Sequence, residues 1–435
     1  MSGLSARDRL DAALARIDAS DGEGARACLT VYRQAARAAA DAADARAKAG
    51  ISLGPLDGAI VTIKDLFDVA GEVTRAGSQV LAEEGKPAAA DAPVVQALRA
   101  GGAVIIAKTN MTEFAFSGVG INPHYGTPGN PADRTRIPGG STSGGAVAVA
   151  DGMCEIAIGS DTGGSTRIPG ALCGLVGFKP SRQRISTAGA FPLSQSMDSI
   201  GPIARSVADC HKADAVMAGE DFKALDPAPL ANLRFGIAQG LPLENLDETV
   251  AKRFPQAIDA LEKAGCRLSD EKLALLDGMA NVNSRGGIQP AEAFTVHRDR
   301  LDRRGSAIDP NVRARLERAR NMSAADYIEM VNERAALIAA MDAQLADIDV
   351  LALPTVPIVA PTIAEMAPAD VFARKNAMLL RNTAIWNFFD CCAISLPLPL
   401  PREGGLPAGL MLVARNGHDR RLFRIAAGVE RLLAA

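Results

Sequence analysis

Two glycine-serine segments constrain this chain more than anything else in it: PGGSTSGG at 138–145 and DTGGSTRIPG at 161–170. Runs so poor in Cβ atoms let a backbone take unusual turns and approach a ligand closely. Three uses are open: a phosphate cradle, a pair of catalytic serines, or flexible linkers. A P-loop needs GxxxxGK[ST], and neither segment holds a Lys. The dinucleotide pattern GxGxxG is absent from both as well. Neither serine sits in a GxSxG elbow, because Ser165 is flanked as GGSTR. A Ser-His-Asp triad would have to bring its histidine from afar. A Ser-Lys arrangement is the other recognised solution. The one SxxK match, Ser269–Lys272 in LSDEKLA, reads as a solvated helix start.

The segments between turn signals alternate helix and strand, which points to an α/β fold. Leu10, Leu14 and Ile17 recur at helical spacing over 5–19, and the Ala-rich stretch 25–49 reads as a second helix. The β-rich run Ala59–Ile63 predicts a strand that ends on Lys64 and Asp65. Asp91 is expected to cap a helix with Pro93 in its first turn, stopped by Gly101 and Gly102. AVIIA at 103–107, EIAIGSD at 155–161 and GLVGFKP at 174–180 read as buried strands, with Ser165 at a helix start. Further strands are expected at 232–240 and at 349–361, where the last runs into a proline-rich loop. CAISLPLPLP and GLMLVAR predict a late hairpin or neighbouring strands. Residues 247–264, 310–346 and 419–434 read as helices. With no repeat and no low-complexity linker, one large domain is the expected organisation. Its parts are a helical extension over 1–50, a core over 54–215, a mostly helical substrate-side region over 216–345, and a C-terminal part of the sheet over 346–435.

Composition narrows the partners. Lys plus Arg total 47 against 50 Asp plus Glu, for a net charge of −3, and no basic block suggests a nucleic acid. Aromatics are only 4%, too few for base-stacking platforms. Seven cysteines without a CxxC spacing suit reduced thiols, most of them small core residues. The four histidines are scattered, and no metal or other cofactor is expected. The charged opening run does not read as a signal peptide, and no stretch reaches the roughly 18 apolar residues of a membrane helix. The expectation is a soluble cytoplasmic protein, with a homodimer as the commonest oligomer by symmetry.

Three segments resemble the amidase signature family: VTIKDLFDVAG (61–71), RIPGGSTSGGAVAVADG (136–152) and IGSDTGGSTRIPGALCGLVGFKPS (158–181). The spacing of Ser141 and Ser165 matches that family. GAVIIAKTNMTEFAF, DSIGPIARS and LPAGLMLVAR are similar to its flanking elements. The resemblance implies an α/β/α sandwich, a large mixed twisted sheet covered by helices. It implies amide hydrolysis by a Ser-cisSer-Lys triad, in which Ser165 attacks the carbonyl, Ser141 relays the proton and Lys64 is the base. Such a lysine must lose its proton near neutrality, although a free one has a pKa of about 10.4. Burial away from carboxylates has that effect. Asp65 must therefore face away from Lys64, as alternation along a strand allows.

The same resemblance makes Thr162, Gly163, Gly164 and Ser165 the oxyanion segment. Gly139, Gly140 and Gly144 give the backbone around Ser141 the freedom its cis bond needs, and Gly139 and Gly140 are candidate pocket residues. Ser143, Ser160 and Asp161 are expected to be structural hydrogen-bonders, and Cys154 and Cys173 core residues. Arg167 either anchors a substrate carboxylate or makes a scaffold ion pair. His124 and Tyr125 lie before the first serine, where they line the pocket or sit at the surface. NTAIWNFFDCCAISLP (382–397) resembles a subgroup acting on small polar amides. There Trp386, Asn387 and Asp390 either close the pocket or pack into the core. Some family members are the A subunit of a glutamyl-tRNA amidotransferase, but the segment after FKPS departs from that subgroup. The remaining alternatives are a Ser-Lys β-lactam enzyme and a family member that serves as a non-catalytic subunit.

Overall fold

The computed structural model describes residues 3–400 and 404–434. These form one sheet of eleven strands: β1 Cys28–Val31, β2 Ile60–Lys64, β3 Val104–Thr109, β4 Ile156–Ser160, β5 Val176–Lys179, β6 Ile200–Ala204, β7 Arg234–Gln239, β8 Arg267–Lys272, β9 Val350–Pro354, β10 Cys392–Pro397 and β11 Gly409–Ala414. Their order is β1-β3-β2-β4-β6-β5-β10-β11-β9-β7-β8. β3, β2 and β4 run parallel, and so do β9, β7 and β8. The strands between β4 and β9 pair antiparallel, so the sheet is mixed. The inner strands are buried on both faces, as continuous apolar runs such as AIVTI predict.

Alternation along β2 sorts the core into two layers. Val61 and Ile63 pack with Val95 and Leu98 of helix Pro93–Ala100, Cys210 of helix Val207–Met217 and Phe423 of helix Asp419–Ala434. Ile60, Ile106 and Ala157 face the other way. They meet Leu10 and Leu14 of helix Ala6–Asp18, Ala36 and Ala40 of helix Arg33–Lys48, and Val147 of helix Ser143–Ala150. The result is the expected α/β sandwich with helices on both faces of a large mixed sheet. All seven cysteines are free and buried.

Four local expectations are corrected. The stretch 25–49 is not one helix: Gly24–Ala27 is a single turn, Cys28–Val31 leaves it as β1, and a new helix starts at Arg33. Pairing with the open edge of β3 outweighs the helical preference of the alanines around it. The N-terminal stretch is thus part of the sheet rather than a purely helical extension. Asp91 does not cap its helix. Ala92 holds the N-cap position, while the Asp91 carboxylate accepts from Ala70 N at 2.8 Å and pairs with Arg99. Ser269–Lys272 begins no helix; it lies in the outermost strand, parallel to β7 and mostly exposed. The 310–346 stretch is two helices, Pro310–Glu317 and Ala324–Gln344, the second opened by a Ser323/Asp326 capping box.

Candidate active site

Strand alternation decides where Lys64 points. Thr62 lies on the face of helix Ser143–Ala150, with its Oγ1 3.4 Å from Cys154 Sγ, and Lys64 shares its parity. Asp65 turns the other way, 3.1 Å from Arg75 and accepting from Gly77 N at 3.1 Å. The loop before helix Ser143–Ala150 brings Ser141 to the lysine. Lys64 Nζ donates to Ser141 Oγ at 2.7 Å and to Ser160 Oγ, at the end of β4, at 2.9 Å. The Gly140–Ser141 peptide is cis. Gly159 lets the loop lie flat on β4, because a Cβ there would stand 2.5 Å from Thr142 Oγ1.

Lys64 is sealed from solvent, and among the described residues no carboxylate comes within ion-pair distance of it. Burial lowers its pKa to about 7, against a smaller upward pull from the Asp161 and Asp198 charges. The amine is therefore poised between its two protonation states at neutral pH.

The second segment follows β4 and precedes the short helix Arg167–Leu172. It is pinned at every residue. The Thr162 hydroxyl donates to Asp198 at 2.6 Å, and Gln289 Nε2 donates to the Thr162 carbonyl. Thr383 Oγ1 donates to the Gly163 carbonyl at 2.6 Å. Gly164 N donates to Asp161 Oδ1 at 2.9 Å. The Ser165 carbonyl accepts from Thr142 N at 3.2 Å, which ties the two glycine-serine loops together. Gly164 has φ +134°, and a Cβ there would meet Thr383 Oγ1 at 2.2 Å. Since the Gly164 N–H is engaged by Asp161, the N–H groups of Thr162, Gly163 and Ser165 are the ones without an acceptor among the described residues.

Beneath the loop lies a buried knot. Asp161 accepts from Arg167 Nη2 at 2.9 Å and from Asn387 Nδ2 at 2.9 Å, and Arg167 also donates to Asn387 Oδ1 and the Thr383 carbonyl. Burial alone would raise the Asp161 pKa, but Arg167 and these hydrogen bonds hold it well below the usual carboxylate range. Arg167 is thus the scaffold ion pair of the two readings. Trp386 is fully buried among Ile385, Phe388 and Phe389, and Asp390 pairs with Arg334, so neither closes a pocket. Asn387 is likewise occupied within the knot. Tyr125 is half-buried beside Arg75, and His124 pairs with Glu113. Gly139 and Gly140 lie against Leu172, Ile168 and Gly120. Ser143 differs from expectation: its buried hydroxyl has no partner among the described residues. Gln289 had no signal in the sequence, and Thr383 and Asp198, although they lie in the quoted segments NTAIWNFFDCCAISLP and DSIGPIARS, had none for this role, since each acts through a fold contact distant along the chain.

A cavity of about 180 Å³ adjoins this loop, lined by residues including Met197, Gln289, Arg315, Ala384 and Phe388. Two of its lining residues stand near Gly163, whose missing Cβ would lie 3.6 Å from Gln289 Nε2 and 3.8 Å from the Ala384 Cβ.

The family described as Amidase matches residues 8–423 of the chain. The chain belongs to the amidase signature family. It is 34% identical to a 2-amino-5-chloromuconic acid deaminase of Comamonas testosteroni, over 92% of this chain and 86% of the relative. It is also 34% identical to the A subunit of a glutamyl-tRNA(Gln) amidotransferase of Anaeromyxobacter sp. (strain K), over 99% of this chain and 93% of the relative. A crystal structure of an amidase superimposes with a TM-score of 0.88 at 32% identity, covering 99% of this chain and 96% of that one. Enzymes of the amidase family hydrolyse C–N bonds, and this fold is theirs. Among the described residues no helix of this amidase-family chain is long and apolar enough to cross a membrane.

Proposed function

We propose that this chain hydrolyses the C–N bond of a small polar, non-peptide amide through a Ser165 acyl-enzyme, with Ser141 and Lys64 completing the triad. The observation that carries the reading is Lys64: a sealed amine without a carboxylate, 2.7 Å from Ser141 Oγ, with its pKa lowered to about 7. Neutral Lys64 takes the Ser141 proton as Ser141 takes that of Ser165. Ser165 Oγ attacks the carbonyl carbon, and the oxyanion forms against the N–H groups of Thr162, Gly163 and Ser165. Donors of this kind contribute about 3–4 kcal/mol each to barrier lowering. The proton passes back to the leaving nitrogen as the C–N bond breaks, releasing ammonia or an amine. Water, deprotonated by the same relay, then frees the carboxylate and restores Ser165.

Free buried thiols and the charge balance suit a cytoplasmic enzyme.

The test is ammonia release from a panel of simple, amino-acid and carboxylated amides by wild type and Ser165→Ala. Turnover by wild type that survives in Ser165→Ala would sink the triad. A second reading, the A subunit of an amidotransferase, is favoured by the Anaeromyxobacter relative that spans 99% of this chain. Amide turnover by the chain alone, with no response to added amidotransferase partner subunits, separates the first reading from it.

A further inference from the structure

The N–H groups of Thr162, Gly163 and Ser165 are aimed from behind. In a trans peptide the carbonyl and the following N–H point in opposite directions, so a bond that holds one fixes the other. The Asp161 carbonyl, which shares a peptide with the Thr162 N–H, accepts from Ser199 N at 3.2 Å, Ser199 Oγ at 2.7 Å and Asn387 Nδ2 at 3.0 Å. The Gly164 carbonyl, which shares one with the Ser165 N–H, accepts from Ile168 N at 2.7 Å. The Thr162 carbonyl, which shares one with the Gly163 N–H, accepts from Gln289 Nε2. Gln289 stands in the first turn of helix Ile288–Arg304. The Gly163 N–H is therefore the one of the three that is aimed from that helix.

The same helix reaches the Thr162 hydroxyl by a second route. That hydroxyl donates to Asp198, which also accepts from Leu193 N at 3.0 Å and Ser194 N at 3.1 Å. These residues form a tight strap over 193–198, closed by Asp198 N on the Ser194 carbonyl at 2.8 Å. Glu292 clamps the strap from its far side. Its carboxylate accepts from Ser194 Oγ, from Ser196 N at 3.0 Å and from the Tyr327 hydroxyl at 2.7 Å. Burial and the bond to Glu292 push the Tyr327 hydroxyl up to about 12, so it stays a donor. Gln289 and Glu292 are three residues apart and share one helix face. One turn of helix thus grips both polar groups of Thr162, the carbonyl directly and the hydroxyl through the strap.

We infer that Gln289 and Glu292 are positioning residues for the hydrolysis, which together aim the Gly163 N–H at the oxyanion. The inference rests on the reading of Ser165 as the nucleophile. Neither side chain touches the reacting atoms. Without the Gln289 donor the Thr162–Gly163 peptide is free to rotate, and its N–H loses its direction. Without Glu292 the strap loosens, and the Thr162 hydroxyl loses its fixed acceptor. The cost falls on the transition state, where charge gathers on the oxygen, rather than on the bound substrate.

The experiment uses two small esters that report acylation of a serine by release of p-nitrophenolate: p-nitrophenyl acetate and its thiono analogue. The second places sulfur where the oxyanion forms, and sulfur is a weak acceptor. Bursts are compared for wild type, Ser165→Ala, Gln289→Met, Glu292→Gln and Glu292→Leu, with melting temperatures as a check on folding. Gln289→Met should slow acylation by the oxygen ester by about tenfold or more, and Glu292→Leu by about tenfold, with Glu292→Gln between it and wild type. The thiono ester should slow less in each, so the oxygen-to-sulfur rate ratio falls. The double variant Gln289→Met/Glu292→Leu should lose less than the product of the single losses, because both act on Thr162. Equal slowing of both esters makes the two residues structural and overturns the inference. Wild-type rates in Gln289→Met and Glu292→Gln overturn it too, and these two variants decide the matter if Glu292→Leu does not fold. A burst lost in Ser165→Ala but unchanged in the helix variants removes the inference alone. No burst from wild type, or an equal burst from Ser165→Ala, removes the Ser165 reading and the inference with it.

Discussion

Lys64 and Arg167 are both fully buried, and the fold treats them in opposite ways. Arg167 sends its N–H groups to Asp161, Asn387, the Thr383 carbonyl and Met411 Sδ. Lys64 is given two serine hydroxyls and no anion. A charge enclosed without a counter-charge is costly, and a group able to shed its proton does so. The same burial therefore makes one cation a rivet and leaves the other, in the proposed mechanism, able to serve as a base. Lys179 sharpens the lesson. It too is buried, with its pKa lowered by burial and by Arg167, yet its Nζ donates to the Pro180 carbonyl at 2.7 Å. A lowered pKa alone does not distinguish Lys64; the serine at its tip does.

The largest effects should break this pair apart. Lys64→Met is expected to lower kcat/KM by about 10⁴-fold or more, as loss of a triad member does, with little loss of stability. Arg167→Met is expected to cost about 3–5 kcal/mol in urea unfolding, because it leaves the Asp161 carboxylate buried and unpaired. Its activity should fall as well, through the loosened Thr162–Ser165 loop. If Lys64→Met unfolded as easily as Arg167→Met, both cations would be structural and the contrast would be lost.

The pH dependence comes next in size. Only neutral Lys64 accepts the Ser141 proton, so log kcat/KM should rise with unit slope below about pH 7 and level off above it. A pH-independent rate from pH 5 to 9 would remove Lys64 from the role of base. Stability should carry the same signature with a definite sign. The Lys64 pKa is about 7 in the fold against an ordinary 10.5, so the unfolded chain binds more protons between those values. Stability gained from this group therefore rises with pH across that window. Lys64→Met should be most favoured over wild type near pH 7, and that advantage should shrink towards pH 10.

The sequence carried the centre of this site and little of its rim. The run ending on Lys64, the two glycine-serine loops and the alternation that sends Asp65 to Arg75 are local features, and local pattern is what a sequence displays. β1 was hidden because its alanine-rich neighbours favour helix, and only the open edge of β3 makes a strand of Cys28–Val31. Trp386 reads in the sequence either as a pocket residue or as core, and it is the apolar spacing of Ile385, Phe388 and Phe389 that places it in the core. Thr383 and Gln289 were invisible for another reason. Gln289 reaches the loop from a helix and Thr383 from the turn before another, both far along the chain, and no local pattern marks either contact.

The smallest expected effect lies at Asp198, which receives the Thr162 hydroxyl together with Leu193 N and Ser194 N. Burial raises its pKa to about 6, although these hydrogen bonds favour the charged form. Asp198→Asn keeps one acceptor oxygen and loses the other, so kcat is expected to fall by about tenfold or less, in line with one weakened neutral contact. The stability sign is the reverse of that at Lys64. The folded protein binds more protons than the unfolded chain between about pH 4 and pH 6, so this group's contribution falls as pH rises through that window. Melting curves of wild type and Asp198→Asn should therefore separate in the variant's favour as pH climbs from 4 to 6, relative to their spacing at pH 4. A loss of kcat above a hundredfold would mean that Asp198 acts on the reaction itself. The division between the anchored Arg167 and the anion-free Lys64 would then have to be redrawn to include it.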